Sequence, residues 1–285
     1  MIINSIQYYY KQITRSNISK TKVKEFYLPI IQHINNNTYN KFLISGSQGI
    51  GKTTILKIIK KVFKKEFKKE ILSLSLDDFY YDPIKRNNLS KKIHPLLNTR
   101  GVPGTHDVNY LQSVVNKFTK SEYPIKIPIF DKLNDKKERK KIIIKKKCDK
   151  LILEGWCVGC PPLNQKYLFK DINLLEKKMD TNKIWRYYYN NQLKLNYKKL
   201  FSQFDSIIYF KNSSFSHVLK WRLKQENRLR KIIGNNKFVG MSKDDIKIFI
   251  QYYEKITKWM MKVMPKKANL TIFVDINQKI RKLIF

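Results

Sequence analysis

Residues Gly46-Ser47-Gln48-Gly49-Ile50-Gly51-Lys52-Thr53 follow the spacing G-x-x-x-x-G-K-[ST]. Glycines at these positions let the chain curl until its backbone N–H groups converge on phosphate oxygens. A lysine in the seventh place reaches the outer phosphates, and the hydroxyl of the eighth residue suits Mg²⁺. Two carboxylates, Asp77-Asp78, end the apolar run Ile71–Leu76, and a third, Glu154, ends Leu151-Ile152-Leu153. Acids just past strand ends, beside a triphosphate cradle, belong to phosphoryl transfer, where they hold the metal or its water shell and orient the attacking group.

These groups need particular elements to hold them. Phe42-Leu43-Ile44 reads as a strand entering the cradle, and Thr54 onward, with Ile55, Ile58, Ile59, Val62 and Phe63 at helical spacing, as the helix leaving it. That helix turns its positive N-terminal end to the anion, and Thr54 completes the cradle. Further strands are expected at 71–76, 151–154, 206–210 and 270–275, alternating with helices at 22–37, 108–118, 185–204, 215–232 and 244–264. Such alternation predicts a single α/β domain over 1–285, its sheet mostly parallel and covered by helices on both faces. Residues 1–21 are expected to be an extension or disordered, 85–107 a long polar loop, and 125–144 a projecting hairpin with Pro128 at an edge.

The chain has 285 residues, is 42% apolar and carries a formal charge of +37. No apolar run approaches the ~20 residues that span a bilayer. The lysines are scattered along the chain and outnumber the arginines, which would be the better base readers, so no specific nucleic-acid partner is expected, only weak salt-sensitive binding. Cys148, Cys157 and Cys160 make no disulfide framework, consistent with a reducing compartment. Cys157 and Cys160 have redox-motif spacing, but Pro161-Pro162 delays any following helix, so redox chemistry is not expected, and no Cys/His cluster has zinc spacing. Residues 1–20 lack the apolar stretch of a secretory signal, so the expected location is the cytoplasm, with organelle targeting left open.

The chain resembles the D-glycerate 3-kinase family of P-loop metabolite kinases, itself similar to pantothenate, uridine and phosphoribulo-kinases. The resemblance rests on residues 46–53, on Leu74 to Tyr80, and on Phe130-Asp131-Lys132. It continues in Glu154-Gly155-Trp156 with Gly159, Trp221 to Glu226, and Met264-Pro265. The run His94 to Asp107, with Arg100-Gly101-Val102-Pro103-Gly104-Thr105-His106-Asp107, is its most specific part. The family has Ser after the Phe/Tyr-Asp-Lys triplet and a Gly-Arg-rich bend, where this chain has Leu133 and Asn134 to Arg139; Ile50 stands where a small residue is common.

The resemblance implies an ATP- and Mg²⁺-dependent transfer of the γ-phosphoryl group to D-glycerate, giving 3-phosphoglycerate. Lys52 would neutralise the β- and γ-phosphates, Thr53 and Glu154 would serve the metal, and Asp77 would orient and deprotonate the hydroxyl. Arg222 would close over the transferring group, with Arg228 or Arg230 assisting. Arg100 would clamp the acceptor carboxylate, with Lys132 and His106 next, and Tyr80 and Asp131 completing the acceptor site. The alternatives are a kinase for another hydroxylated metabolite, such as pantothenate or uridine, and a nucleic-acid-binding ATPase. Oligomeric state is left open.

Overall fold

The computed structural model describes residues 1–233 and 240–285. Its strands are β1 (Lys41–Gly46), β2 (Ile71–Ser75), β3 (Ile125–Ile127), β4 (Phe130–Asp131), β5 (Lys136–Lys137), β6 (Ile142–Ile144), β7 (Lys150–Gly155), β8 (Ser206–Asn212), β9 (Leu270–Val274) and β10 (Ile280–Ile284). The central sheet has the order β10-β9-β8-β1-β7-β2. Every pairing from β2 to β9 is parallel, and β10, which the sequence reading missed, adds an antiparallel edge to β9. β1 lies between β7 and β8, with Ser45 opposite Gly155 and Gly46 opposite Phe210. The cradle therefore leaves the sheet where both neighbours also end.

Side chains alternate across the sheet, as a period of two requires. Leu43, Leu151, Leu153 and Tyr209 enter one core. Phe42, Ile44, Ile152, Ile208 and Phe210 enter the other. Apolar residues on both faces read as near-continuous hydrophobic runs, and each fully buried Leu, Ile or Phe contributes roughly 1.5–3 kcal/mol. The first face is covered from Val108–Thr119, from the helical stretch 184–201 and from Lys243–Val263. The second is covered from Ile2–Thr14, from 20–35 and from Lys52–Val62.

Three expectations need correction. Residues 1–21 are not merely an extension: Ile2–Thr14 is a helix whose Ile6 is fully buried, with Ile2, Ile3, Tyr9, Tyr10 and Ile13 packed on the same core. Their three- and four-residue spacing was the signal, masked by the basic, tyrosine-rich composition. The polar stretch from Lys85 is not all loop: Pro83–Lys92 is a helix, capped by Asp82, whose carboxylate accepts from Lys85 N–H at 2.8 Å. Asp-Pro is a helix-start pair, and here it outweighs the near-absence of an apolar stripe. The hairpin is two short ribbons, β3 with β6 and β4 with β5, broken near Pro128.

The long helix Lys243–Val263 is tied down by a buried ionic group. Lys255 reaches Glu176 at 3.1 Å, and Arg186 reaches Asp180 at 2.7 Å and Asp171 at 2.6 Å. Buried charges persist only when paired and hydrogen-bonded, so this group fixes the helix against residues 165–192. Among the described residues, no helix is long and apolar enough to cross a membrane.

Candidate active site

Gly49 sits at φ 76°, and a Cβ there would come within 2.7 Å of the Trp221 Cβ. Only glycine lets the helix Ser216–Ile233 press this closely on the loop. Trp221 is held in turn by a bond from its indole N–H to the Ile276 carbonyl at 2.8 Å, and Gln278 donates to the Gly49 carbonyl. Ile50 is buried in the second core and anchors the loop from below. Ser47 donates to Asn212 at the end of β8, 3.0 Å away. Gln48 faces the cleft described below. Gly51 begins the helix Lys52–Val62 with no capping side chain, leaving the first N–H groups for an anion. Thr54 is exposed on that first turn.

Lys52 is buried, its ammonium donating to the carbonyls of Gly46 at 2.7 Å and Ser47 at 3.0 Å. Burial lowers its pKa, opposed by the charges of Glu154 and Asp77. Thr53 donates to Glu154 at 3.4 Å, across from the end of β7. These are hard oxygen donors at the mouth of the cradle. Among the described residues no group of three or more His, Cys, Asp or Glu is placed to hold a metal ion.

Asp77 and Asp78 lie on the 3₁₀ turn Leu76–Phe79 at the end of β2. Asp77 receives Lys132 Nζ at 2.6 Å and the Tyr80 hydroxyl at 2.9 Å. Burial pushes its pKa up, but the Lys132 charge and the hydrogen bonds from Lys132 and Tyr80 overcome this and hold it at about 2. Asp78 lacks such partners; it accepts only a 3.4 Å bond from Phe130 N–H, and burial pushes it up to about 6. Asp77 therefore stays ionised through the whole neutral range. Its stabilising effect on the fold is present above the unfolded carboxyl value and is lost as pH falls through about 2.

Lys132→Met is expected to remove the main counter-charge and let burial dominate. The acid limb of kcat/KM should then rise by roughly one to three pH units, the usual effect of an opposite charge on a carboxylate. A pH–rate profile of this variant identical in shape to the parent's would disconnect Lys132 from Asp77.

The stretch 100–107 is stitched to the Asp77 turn. Tyr81 N–H donates to Thr105 at 2.9 Å and Asp107 N–H to Phe79 at 2.7 Å. Gly101 adopts φ 137°, with Tyr253 so close that a Cβ would lie 2.4 Å from its hydroxyl. Tyr253 donates to the Arg100 carbonyl at 3.0 Å and Trp156 to the Gly101 carbonyl at 3.1 Å, clamping the backbone from two sides.

These elements enclose a cleft of about 820 Å³ whose lining includes Gln48, Asp77, Tyr80, Arg100, Lys132 and Arg222. The volume lies within the usual range for a small-ligand site. Arg222 is paired with Glu226 at 2.7 Å and stacks over Phe249. Arg228 lines the cleft as well. A second concavity of about 610 Å³, lined by Ile93, Phe169, Ile184 and Tyr187 among others, includes no carboxylate in its lining.

Two expected acceptor residues are not brought into the cleft. His106 is buried, stacked on Tyr80 and bonded through Nδ1 to the Tyr197 hydroxyl at 2.6 Å, with burial lowering its pKa to about 3. It is a neutral packing group. Asp131 turns into its own bend, accepting from Leu133 N–H at 2.9 Å and Asn134 N–H at 3.1 Å. Arg100 does line the cleft, but its guanidinium already meets Asp135, which also holds Arg86. The sequence motifs assign no site role to Asp135, Arg86, Glu226, Phe249 or Tyr253. The last two lie on the apolar stripe of a long helix, where nothing in the spacing separates a cleft residue from a core residue. Cys157 and Cys160 are buried, and burial pushes both thiols up, so neither is a ready nucleophile.

A phosphate cradle and acidic strand ends on one edge of a parallel sheet put the chain in the class of P-loop kinases. No family model matches it. The Saccharomyces cerevisiae protein described as "Probable ATP-dependent kinase TDA10" is 30% identical over 257 residues, covering 83% of this chain and 84% of the relative. The Schizosaccharomyces pombe protein "Uncharacterized kinase mug58" is 29% identical over 239 residues, covering 80% of this chain and 83% of the relative. The chain belongs to the family of ATP-dependent P-loop kinases that these yeast proteins represent. A solved D-glycerate 3-kinase from Cryptococcus neoformans shares the fold, with a TM-score of 0.69 over 99% of this chain and 97% of that one at 21% identity.

Proposed function

We propose that the chain transfers the γ-phosphoryl group of ATP to a hydroxyl of a small monoanionic hydroxy acid, with D-glycerate as acceptor and 3-phosphoglycerate as product. The observation that carries this reading is a charged wall of the cleft that Gln48 of the cradle also lines. An ionised carboxylate, Asp77, stands there beside two cations, Lys132 and Arg100. The carboxylate receives a hydroxyl, and the cations receive an acid group on the same small molecule. The solved D-glycerate 3-kinase of the same fold supports the choice of acid.

Lys52 neutralises the outer phosphates once they displace its bonds to Gly46 and Ser47. Thr53 and Glu154 would hold Mg²⁺, which when bound supplies charge neutralisation between the phosphate oxygens. Asp77 orients the acceptor hydroxyl and takes its proton late, since a base held near pKa 2 gains little by early transfer. Asp78 is the stronger base but does not line the cleft, and geometry ranks before pKa. Arg222, held by Glu226 and Phe249 at the cleft, adds positive charge near the phosphates.

ADP release with D-glycerate, pantothenate, uridine or DNA as the sole added acceptor tests the reading. Turnover is expected with D-glycerate, and at least about tenfold lower kcat/KM with uridine, which has no carboxylate and loses one charge-assisted contact, and with pantothenate, whose carboxylate lies at the far end of a longer chain from its hydroxyls. Preference for uridine or pantothenate would replace the acceptor but keep the kinase, and release with DNA alone would replace the class.

A further inference from the structure

Asp135 stands behind the proposed acceptor wall, paired with Arg100 of the cleft lining. It stands in the bend where this sequence departs from the family it resembles, at φ 51°. One carboxylate oxygen meets Arg100 and the other meets Arg86. Arg86 is 3% exposed, its Nη1 on the Asn98 carbonyl at 2.9 Å. Arg100 is 20% exposed, and its Nη2 donates to the Lys132 carbonyl at 2.8 Å. Behind the cleft lining, Arg86 and Asp135 thus complete, with the lining groups Arg100, Lys132 and Asp77, a set of three cations and two carboxylates. It carries one net positive charge.

We propose that Asp135 sets the charge selectivity of the acceptor site, acting through Arg100 as a positioning residue. With Asp135 in place, one substrate carboxylate completes the neutralisation of the wall. A second carboxylate would find no further cation in this set and would lie close to Asp135, which makes its desolvation unfavourable. The inference rests on the hydroxy-acid reading above.

Asp135→Asn keeps the shape and tolerates the left-handed backbone. Asp135→Gly removes the carboxylate and suits that backbone better. Asp135→Glu keeps the charge. Each full-length variant is assayed with ATP and with D-glycerate, hydroxymethylmalonate (a dianion that keeps the primary hydroxyl) or glycerol as acceptor. The two charge-removing variants are expected to lower KM for D-glycerate by roughly three- to tenfold, with KM for ATP unchanged. They should also raise the hydroxymethylmalonate to D-glycerate ratio of kcat/KM about tenfold, the scale of one close charge-pair interaction. Asp135→Glu should keep the parent ratio. An unchanged ratio in both charge-removing variants overturns the proposal. So does the same change in ratio in Asp135→Glu, since that marks a structural role; either result leaves the hydroxy-acid reading standing. A parent protein that phosphorylates glycerol but neither acid overturns both.

Discussion

Asp77→Asn is expected to lower kcat by roughly 10²–10⁴-fold, the range for loss of a positioned general base, with little change in ATP affinity. The amide matches the carboxylate in shape and still accepts the Tyr80 hydroxyl that now lies at 2.9 Å. It cannot accept the acceptor's proton, and it no longer attracts Lys132, now at 2.6 Å. ATP affinity is spared because the cradle is built from other elements: the turn after β1, the helix Lys52–Val62 and the overlying Trp221. Single-turnover rates with saturating acceptor, set beside calorimetric ATP titration, separate the two effects. A variant that turns over at the parent rate removes Asp77 from the mechanism. One that loses ATP binding in step with activity assigns Asp77 to the cradle instead.

Lys52→Ala is expected to cost about 10²–10³-fold in kcat, the usual result of removing one donor aimed at developing charge. Lys52 is the cradle's buried cation, and burial lowers its pKa while Glu154 and Asp77 hold it up. A bound polyphosphate adds the negative charge that favours the protonated form, so the ammonium is strongest when the nucleotide is present. Lys52→Arg should not restore the rate. A planar fork does not fit a space shaped for a point charge, with the Gly46 and Ser47 carbonyls 2.7 and 3.0 Å from Nζ. A coupled ADP-release assay reads both variants, and more than about a tenth of parental kcat in Lys52→Ala would contradict the assignment.

Local features were legible without tertiary structure. The cradle, the acids ending β2 and β7, and the parallel alternation of strands and helices rest on contiguous residues whose spacing reflects one element at a time. Even the hidden helices left traces, in the spacing of Ile2 to Ile13 and in Asp82-Pro83. The burial of His106 left none, because stacking on Tyr80 and bonding to Tyr197 depend on where distant segments meet.

By itself, then, the sequence determined a phosphate site and the sheet that carries it, since a nucleotide's phosphates are held by one uninterrupted loop. The tertiary structure alone decided the charged groups at the proposed acceptor wall. These charges come from residues 77, 86, 100, 132 and 135, drawn from four separate segments, and a carboxylate such as Asp135 acquires its meaning only when folding sets it between Arg86 and Arg100. Coulombic energy depends on distance through space, and spacing along the chain does not encode that distance for a bend meeting two other segments.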